Sequence, residues 1–401
     1  MDKFNDTIWD TEKLGELVEK VSLPVKVRAE ATYQEIGIRS HCKGIFHKDK
    51  VTGNTLGNKR VFWVEPDCFV VNIVFAWEHA IAKTTKFENG MIASHRFPMY
   101  KPKKILLNLD YLYYYLSTPR GKYLLNLASP GGAGRNKTLG QAAFLELSIP
   151  TPSVLEQEKI VSILSVWNEI IKSQKKLTSA KKELYKSTLY KLIDSSLKTW
   201  EIHRLGNLGK TYGGLSGKSK EDFGKGSPYV SYMEIFSKPG IMTEELAEKV
   251  IVSRNETQNE VKRGDIFFTT SSETPEEICY SSVLLNNPNE ITYLNSFCFG
   301  YRFNNTNVLC PEFAQYLFRT QYFRKKVHKL AQGSTRFNIS KKEVMKLDLA
   351  IPPIEYQENV VRILEHLFAS VKAHEKKLEL LKLQKKGLMQ VLLTGKVRVN
   401  A

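Results

Sequence analysis

Several short motifs in the chain approach known catalytic signatures without completing them. The run GGLSGKS resembles a phosphate-binding loop, but the G-x-x-x-x-G-K-S spacing would require glycine where Tyr212 stands. The run GGAG at 131–134 lacks the G-x-G-x-x-G spacing of a dinucleotide site. The Glu260-Val261-Lys262 triplet could be half of a nuclease site, but no acidic partner is evident in the sequence. N-P-P-Y and D-P-P-Y runs, which an amino-methyltransferase uses to hold a flipped base, are absent. We therefore predict no catalytic residues in this chain.

The cysteines, the net charge and the hydropathy of the chain indicate which metal sites, binding partners and compartment to expect. Cys42, Cys68, Cys279, Cys298 and Cys310 are odd in number and have no C-x-x-C spacing, so we expect reduced thiols and no metal site. With 59 Lys and Arg against 42 Asp and Glu, the formal charge is +17, which favours a polyanion such as nucleic acid as partner. No run of 18 apolar residues and no export signal appears, so we expect a cytoplasmic protein.

The elements that would position a binding surface are repeated. A tract from Leu147 to Leu192 returns at Leu347 to Leu392 with a constant offset of 200. Identical pairs include Pro152/Pro352, Gln157/Gln357, Glu158/Glu358, Val161/Val361, Ile163/Ile363, Leu164/Leu364, Lys172/Lys372, Lys182/Lys382 and Leu192/Leu392. Trp9, Leu14, Gly15 and Leu17 likewise reappear as Trp200, Leu205, Gly206 and Leu208. The segments between these anchors, 18–130 and 209–330, have diverged, which favours one frame carrying two different binding domains.

Each repeated tract predicts a long helix that begins after prolines, near residues 153 and 353. In the second copy, a coiled-coil seam runs Val360, Leu364, Leu367, Val371, His374, Leu378, Leu381, Lys385, Leu388, Leu392. The first copy has Ile160, Leu164, Trp167, Ile171, Gln174, Thr178, Lys181, Tyr185, Thr188 and Leu192 at the equivalent positions. Because its middle is polar and flanked by Ile170, Leu177 and Leu184, we expect this seam to shift face midway. Each helix would be a rod of about 60 Å, and the two are expected to pair antiparallel.

We expect an α/β (α+β) fold of two strand-rich globular domains and two spacer helices with a pseudo-two-fold internal repeat. The expected boundaries are 1–153 for the first globular domain, 154–196 for its helix, 197–353 for the second domain, and 354–401 for the second helix and tail. Strand-like segments such as CFVVNIVFAW and FCFGYRF support mixed cores. Both domains end in a helical stretch and a glycine-rich, basic, hydroxyl-rich loop, SPGGAGRNKTLG and AQGSTRFNIS. These loops could bind DNA phosphates or base edges, or could be ordinary solvated loops.

The proline-led helices ending KKELYKSTLYKLI and LQKKGLMQVLLTGK, with the P-x-x-x-x-Q-E phrase at their starts, resemble the conserved regions of the specificity (S) subunit of type I restriction-modification enzymes. The segments KRGDIFFTTSSETPEE and LGNLGKTYGGLSGKSKEDFGKGSPYV are similar to ones in that family's target-recognition domains. The resemblance covers nearly the whole chain. It implies a non-catalytic reader of double-stranded DNA, in which each globular domain contacts one half of an asymmetric bipartite site and the helices fix the spacer.

The resemblance also implies partners and their cofactors. Two adenine-N6 methyltransferase subunits and ATP-dependent restriction (motor-nuclease) subunits would assemble with this chain. S-adenosylmethionine, ATP and magnesium would then bind to those partners, and this chain would bind no cofactor or metal itself.

Residue types and positions predict two sets of contacts. Predicted DNA contacts are Lys59, Arg60, His95, Arg96, Arg135, Asn136 and Lys137 in the first domain, and Lys218, Lys220, Ser271, Ser272, Thr335 and Arg336 in the second. Predicted subunit or helix interface residues are Gln157, Glu158, Leu164, Trp167, Ile171, Gln357, Glu358, Leu364, Leu367, Val371 and Leu378. Two other function classes stay open at this point: a self-contained methyltransferase or nuclease, and a coiled-coil adaptor that does not touch DNA.

Overall fold

A computed structural model of the chain describes residues 9–131, 137–196, 199–305 and 307–399. The chain forms two compact units. The first unit comprises residues 1–175 and 376–401, and the second comprises residues 176–375. Each unit therefore contains one globular domain together with part of each long helix, whereas the sequence predicted four consecutive segments.

The globular domain of the first unit, which we call the first head, is built from short elements. Its strands are β1 Thr11–Lys13, β2 Val18–Val21, β3 Thr32–Ile38, β4 Ile45–Thr52, β5 Val61–Trp63, β6 Phe69–Val71, β7 Ile81–Lys83, β8 Ile92–Ser94, β9 Met99–Pro102 and β10 Ser148–Pro150. Its helices are α1 Leu14–Leu17, α2 Gly53–Leu56, α3 Leu109–Leu116, α4 Pro119–Leu127 and α5 Gln141–Leu145, with 3-10 turns at Ala76–Glu78 and Lys86–Glu88.

Two four-stranded sheets, ordered β4-β3-β8-β5 and β2-β9-β6-β7, form the body of the first head. Helices α3 and α4 form a hairpin that packs beside these sheets, and local sequence explains where each helix begins. The Asn108 side chain caps α3 by accepting from the Asp110 and Tyr111 amides, and Thr118 caps α4 with Pro119 at the first helical position. Tyr111, Leu112 and Leu125 are fully buried in the resulting core.

The second head has a different set of elements. Its strands are β11 Glu201–Arg204, β12 Gly209–Gly213, β13 Phe223–Val230, β14 Gly240–Ile241, β15 Lys249–Val250, β16 Ile266–Thr269, β17 Ser271–Ser272, β18 Ser281–Leu284, β19 Tyr293–Leu294, β20 Cys298–Phe303, β21 Phe337–Asn338 and β22 Asp348–Ile351. Its helices are α7 Leu205–Leu208, α8 Tyr232–Ser237, α9 Pro311–Leu317, α10 Gln321–His328 and α11 Lys341–Val344, with 3-10 turns at Lys220–Asp222, Thr243–Glu245 and Pro275–Glu277.

A five-stranded sheet, ordered β12-β20-β16-β18-β14, and a three-stranded sheet, ordered β15-β13-β19, form the body of the second head. Strand β17 pairs separately with β21. The sheets differ from those of the first head, in agreement with the divergence of the two segments in sequence.

The frame around the heads is repeated in the structure as in the sequence. Strand β1 pairs antiparallel with β10, and β11 pairs antiparallel with β22. The Leu14 amide donates to the Leu147 carbonyl at 2.8 Å, and the Leu205 amide donates to the Leu347 carbonyl at 2.9 Å. Each head is thus closed by a strand pair that joins the start of the head to the segment leading into its helix.

The two long helices follow these closing strands. Helix α6 spans Val154–Leu189 and continues as a π-helical turn over Tyr190–Asp194, and α12 spans Ile354–Leu392. In the second unit the helices run antiparallel, because the Thr178 hydroxyl donates to the His374 carbonyl at 3.5 Å while the Tyr356 hydroxyl donates to the Leu192 carbonyl at 2.9 Å. In the first unit the same sense follows from the Lys385–Asn168 and Arg398–Glu156 contacts.

Every predicted seam position of α12 is buried or half-buried, from Val360 (2% exposed) to Leu392 (3%). The seam of α6 also stays on its predicted positions, so the expected shift of face was wrong. Gln174 and Thr178 are buried, whereas Ile170, Leu177 and Leu184 are 41–46% exposed. At Thr178 the polar side chain is tolerated in this seam because its hydroxyl has a partner on the other helix, the His374 carbonyl.

The end of each long helix completes the core of one head. Leu392, the last residue of α12, and Leu393 after it are buried in the core of the first unit, and Ile193, just after α6, is buried in the core of the second. The five cysteines form no disulfide. Among the residues that the structure describes, none of the helices combines the length and apolar character that a membrane span requires.

Candidate nucleic-acid interface

Four of the basic residues predicted in the first head come together at one end of the sheet β4-β3-β8-β5. Strand β5 pairs antiparallel with β8, and just beyond this pairing the His95 amide donates to the Arg60 carbonyl at 3.0 Å. Lys59 and Arg96 are the chain neighbours of these two residues, and all four are exposed. The strand pairing therefore assembles a basic cluster from two segments that are distant in sequence.

The loop after α4 lies next to this cluster. The backbone of Ile73 joins the two, because its amide donates to the Arg96 carbonyl and its carbonyl accepts from the Leu139 amide. The Lys137 ammonium donates to the Asn126 side chain at 2.9 Å and lies 5.9 Å from the centre of the Trp77 ring. Arg135 and Asn136 fall outside the described residues.

Sequence reasoning missed Lys48, which extends the same cluster. The Lys48 ammonium lies 3.4 Å and the Lys59 ammonium 3.6 Å from one carboxylate oxygen of Glu35, which is only 7% exposed. Two lysines share a single carboxylate, so the group keeps a net positive charge. Strand β4 lies at the edge of its sheet and exposes its whole charged run, His47 to Lys50, and this run was the sequence signal that could have indicated Lys48.

The second head brings Ser271 and Arg336 together but does not expose the serine. Ser271 and Ser272 are 5% and 7% exposed, because β17 pairs with β21 and the Tyr232 hydroxyl donates to the Ser271 carbonyl at 2.7 Å. The Arg336 guanidinium lies 3.4 Å from the Ser271 hydroxyl. The prediction of two serines presented to DNA therefore needs correction: they support the loop that carries Thr335 and Arg336, both of which are exposed.

Lys218 also occupies a different position from the one predicted. Its side chain is only 4% exposed and forms an ion pair with Glu256. The hydrogen bond from Lys218, followed by one from the Ser253 amide, lowers the pKa of Glu256 to about 2. Lys218 thus fastens two loops of the head together, whereas Lys220, in the 3-10 turn Lys220–Asp222, is exposed.

The predicted interface residues on the long helices divide into two groups. Leu164 and Leu364 are fully buried, Val371 is 6% exposed, and Trp167, Ile171, Leu367 and Leu378 are half-buried along the seam. Glu158 and Glu358 are exposed.

Gln157 and Gln357 are fully buried, but they join each helix to its own head rather than to the other helix. The Gln157 side chain accepts from the Asn108 amide at 2.8 Å and donates to the carbonyls of Leu106 and Pro152 at 3.0 and 2.9 Å. The Gln357 side chain accepts from the Cys310 amide at 2.9 Å and donates to the carbonyls of Val308 and Pro352 at 2.9 and 2.8 Å. The repeated glutamine is therefore a repeated tether between a helix and its head.

The surroundings of the Glu260-Val261-Lys262 triplet are structural. The nearby Asp265 carboxylate accepts from the Tyr212 hydroxyl at 2.5 Å, from two nitrogens of Arg302 at 2.6 and 2.7 Å, and from the Lys262 amide at 2.8 Å. Burial, followed by the Asp265 charge, raises the pKa of Tyr212. No group of three His, Cys, Asp or Glu side chains within the described ranges is arranged to hold a metal ion.

Solved structures with the same architecture are known. The chain matches the HsdS subunit from Thermoanaerobacter tengcongensis with a TM-score of 0.57 at 15% identity, covering 97% of each chain. It matches a chain from a structural study of complex assembly and conformational transition of the type I R-M system with a TM-score of 0.64 at 15% identity, covering 99% and 100%. At these identities the likeness concerns the fold.

Sequence comparison points the same way. Two type I restriction enzyme specificity subunits of Methanocaldococcus jannaschii are similar to the chain: MjaVIII, 22% identical over 98% of this chain and 93% of that protein, and MjaIX, 23% identical over 80% and 75%. The family model for the type I restriction modification DNA specificity domain matches residues 53–182 and again 197–383, once over each part of the repeat. The chain therefore belongs to the type I restriction-modification DNA specificity family.

Proposed function

We propose that this chain is the non-catalytic specificity subunit of a type I restriction-modification complex, with each head reading one half of an asymmetric bipartite DNA site. The proposal rests on one observation. The same glutamine hydrogen bonds join each long helix to its head, while the sheets of the two heads differ. Identical tethers hold the two heads in the same relation to their helices, while different surfaces are free to recognise different sequences. The two matches to the specificity-domain model support this assignment.

The chemistry of the complex belongs to partner subunits in this proposal. Two adenine-N6 methyltransferase subunits would bind S-adenosylmethionine, and restriction subunits would bind ATP and magnesium. The exposed faces of the long helices, including Glu158 and Glu358, are available to dock them. The compartment that this function requires is the cytoplasm, where the chromosome lies.

Phosphate contacts would supply most of the affinity, and a few polar side chains on each head would supply the sequence choice. The clusters around Arg60 and His95 in the first head and around Arg336 in the second are the surfaces that we assign to these roles. Contact of these residues with DNA stays a prediction.

Methylome sequencing of the host with and without the gene for this chain tests the proposed function. We expect one bipartite adenine-methylated motif to disappear when the gene is deleted and to return on complementation. An unchanged methylome in a host whose modification subunits are active would contradict the proposal. Metal-dependent cleavage or adenine methylation by the purified chain alone would instead indicate a self-contained enzyme.

A further inference from the structure

A short hairpin in the second head, Gln332–Asn338, is fastened to the body of the head at its base. The Gln332 amide donates to the Asn338 carbonyl at 3.0 Å, and the Asn338 amide donates back to the Gln332 carbonyl at 2.8 Å. Asn338 also pairs with Ser271 of β17, and the Ile339 amide donates to the Thr270 carbonyl at 3.1 Å. Gly333 has φ +126°, and a Cβ there would lie 2.2 Å from the Arg336 carbonyl oxygen, so the turn requires glycine. The hairpin is therefore a defined structure.

The side chains that this hairpin presents suit nucleic-acid bases. Gln332, Ser334, Thr335, Arg336 and Asn338 are all exposed and all polar. Planar amides and guanidinium groups are the side chains that form paired hydrogen bonds with base edges. The hairpin also lies within a segment, from Phe313 to Lys342, that has eight Lys and Arg and no Asp or Glu. The corresponding segment of the first head, Tyr111 to Leu145, has four Lys and Arg and again no acidic residue.

Arg336 differs from Arg302, Arg319 and Arg324 of the same head in what its guanidinium contacts. Arg302 is bound to Asp265, and Arg319 and Arg324 donate to backbone carbonyls of the segments around them. These three are structural. Arg336 is oriented by one contact, 3.4 Å from the Ser271 hydroxyl, and within the part of the chain that the structure describes its other donors face no acceptor. Arg336 therefore presents these hydrogen-bond donors in a fixed orientation on the hairpin, which favours the binding of a ligand.

We propose that the hairpin Gln332–Asn338 is the base-reading element of the second head and that Arg336 recognises a guanine in the half-site which that head reads. The inference rests on the proposed function. The fork of Arg336 would donate to O6 and N7 of guanine in the major groove. The Ser271 hydroxyl positions the fork, and the amides of Gln332 and Asn338 flank it.

The test replaces the chromosomal gene with Arg336→Lys, which keeps the charge and loses the planar fork, and maps the methylated motif. The matched control is Arg254→Lys, the same chemical change at an exposed arginine of the same head in the loop after β15. We expect R336K to lower the preference for guanine at one position of one half-site by about tenfold, leaving the other half-site and the spacer unchanged. R254K should leave the motif as in the wild type, and Gly333→Ala should act like R336K.

A wild-type motif in the R336K strain would overturn the inference and leave the proposed function intact. If R336K abolishes methylation, the Ser271→Ala variant provides the test, because it removes only the hydroxyl that positions Arg336. A relaxed base preference with S271A then supports the hairpin assignment, and an unchanged motif overturns it. Absence of any chain-dependent methylation in the wild-type strain would instead overturn the proposed function itself.

Discussion

At the scale of single residues, the repeated glutamine is the clearest link between sequence and architecture. Gln157 and Gln357 each satisfy one amide and two carbonyls where a helix meets its head. Both glutamine side chains are fully buried, so the position requires a residue that supplies one acceptor and two donors. This explains why a glutamine recurs at the same position of both repeats.

Gln157→Ala should leave the Asn108 amide and two carbonyls without partners. We expect the free energy of unfolding of the full chain to fall by about 2 kcal/mol, since a buried group without a partner costs roughly 1 to 3 kcal/mol, and of the three groups only the Pro152 carbonyl belongs to a buried residue. Urea denaturation measures the change. The matched control is Glu158→Ala at the exposed neighbouring position, which should shift stability by less than about 0.5 kcal/mol. Equal effects of the two substitutions would refute the tether.

The pair Arg398–Glu156 predicts a pH dependence within the first unit. Glu156 is 2% exposed and accepts from Arg398 at 2.8 and 2.9 Å. These hydrogen bonds, acting against the effect of burial, hold the pKa of Glu156 below its ordinary 4.5. Because the folded-state pKa is the lower one, the pair stabilises the fold above pH 4.5 and this contribution is lost as pH falls through the folded-state pKa.

Arg398→Ala should therefore lower the thermal midpoint near neutral pH, and the difference from wild type should shrink as the solution is acidified below about pH 4. Thermal unfolding across a pH series measures this. A difference that stays constant down to about pH 3 would show that Arg398 acts through packing on Trp9, 5.7 Å away, rather than through the carboxylate.

At the scale of elements, the same junction between head and helices is built differently in the two units. In the first unit it is polar: the Lys385 ammonium donates to the Asn168 side chain at 2.6 Å, and Asn168 donates to the Tyr114 hydroxyl at 2.7 Å. In the second unit, the rings of Tyr185 and Phe368 meet at 5.8 Å. Asn168 and Phe368 occupy equivalent positions of the repeat, so the chemistry at this position has diverged while the backbone arrangement has not.

Asn168→Ala should destabilise the first unit by about 1 to 2 kcal/mol, because it removes the acceptor of an ammonium whose pKa is already lowered by burial. The double variant with Lys385→Met should recover most of that loss, since an apolar replacement removes the uncompensated charge. A double-mutant cycle in urea measures the coupling. A double variant less stable than Asn168→Ala alone would contradict the polar junction.

At the scale of the whole molecule, the proposed function assigns the spacer of the DNA site to the long helices. Inserting four residues into either helix adds about 6 Å, equivalent to roughly two base pairs at most. We expect the spacer of the methylated motif to change while both half-sites persist. Methylome sequencing of the insertion strain measures this, with a four-residue insertion between the exposed residues Asn289 and Glu290 of the second head as control. Altered half-sites with an unchanged spacer would contradict the helix assignment.

Much of this architecture was accessible from the sequence because it depends on local or periodic information. The offset of 200, the proline-led helix starts and the apolar heptads of α12 each require only the chain itself. The seam of α6 was misjudged at its middle, since burial there depends on what the opposite helix offers. Ile170, Leu177 and Leu184 look like a seam in isolation, but the structure buries Gln174 and Thr178 and exposes these three apolar residues.

Four features follow from the amino-acid sequence alone: the duplication, the two long helices, the basic charge and the absence of complete catalytic motifs. Only the folded arrangement shows that Ser271, Ser272 and the Lys218 side chain are buried in the second head, and that the end of each long helix completes the core of one unit. The physical reason is that propensity and periodicity act over a few neighbouring residues. Burial and hydrogen-bond partners are set by segments that meet only after folding, as Gln157 meets Asn108 and Arg336 meets Ser271.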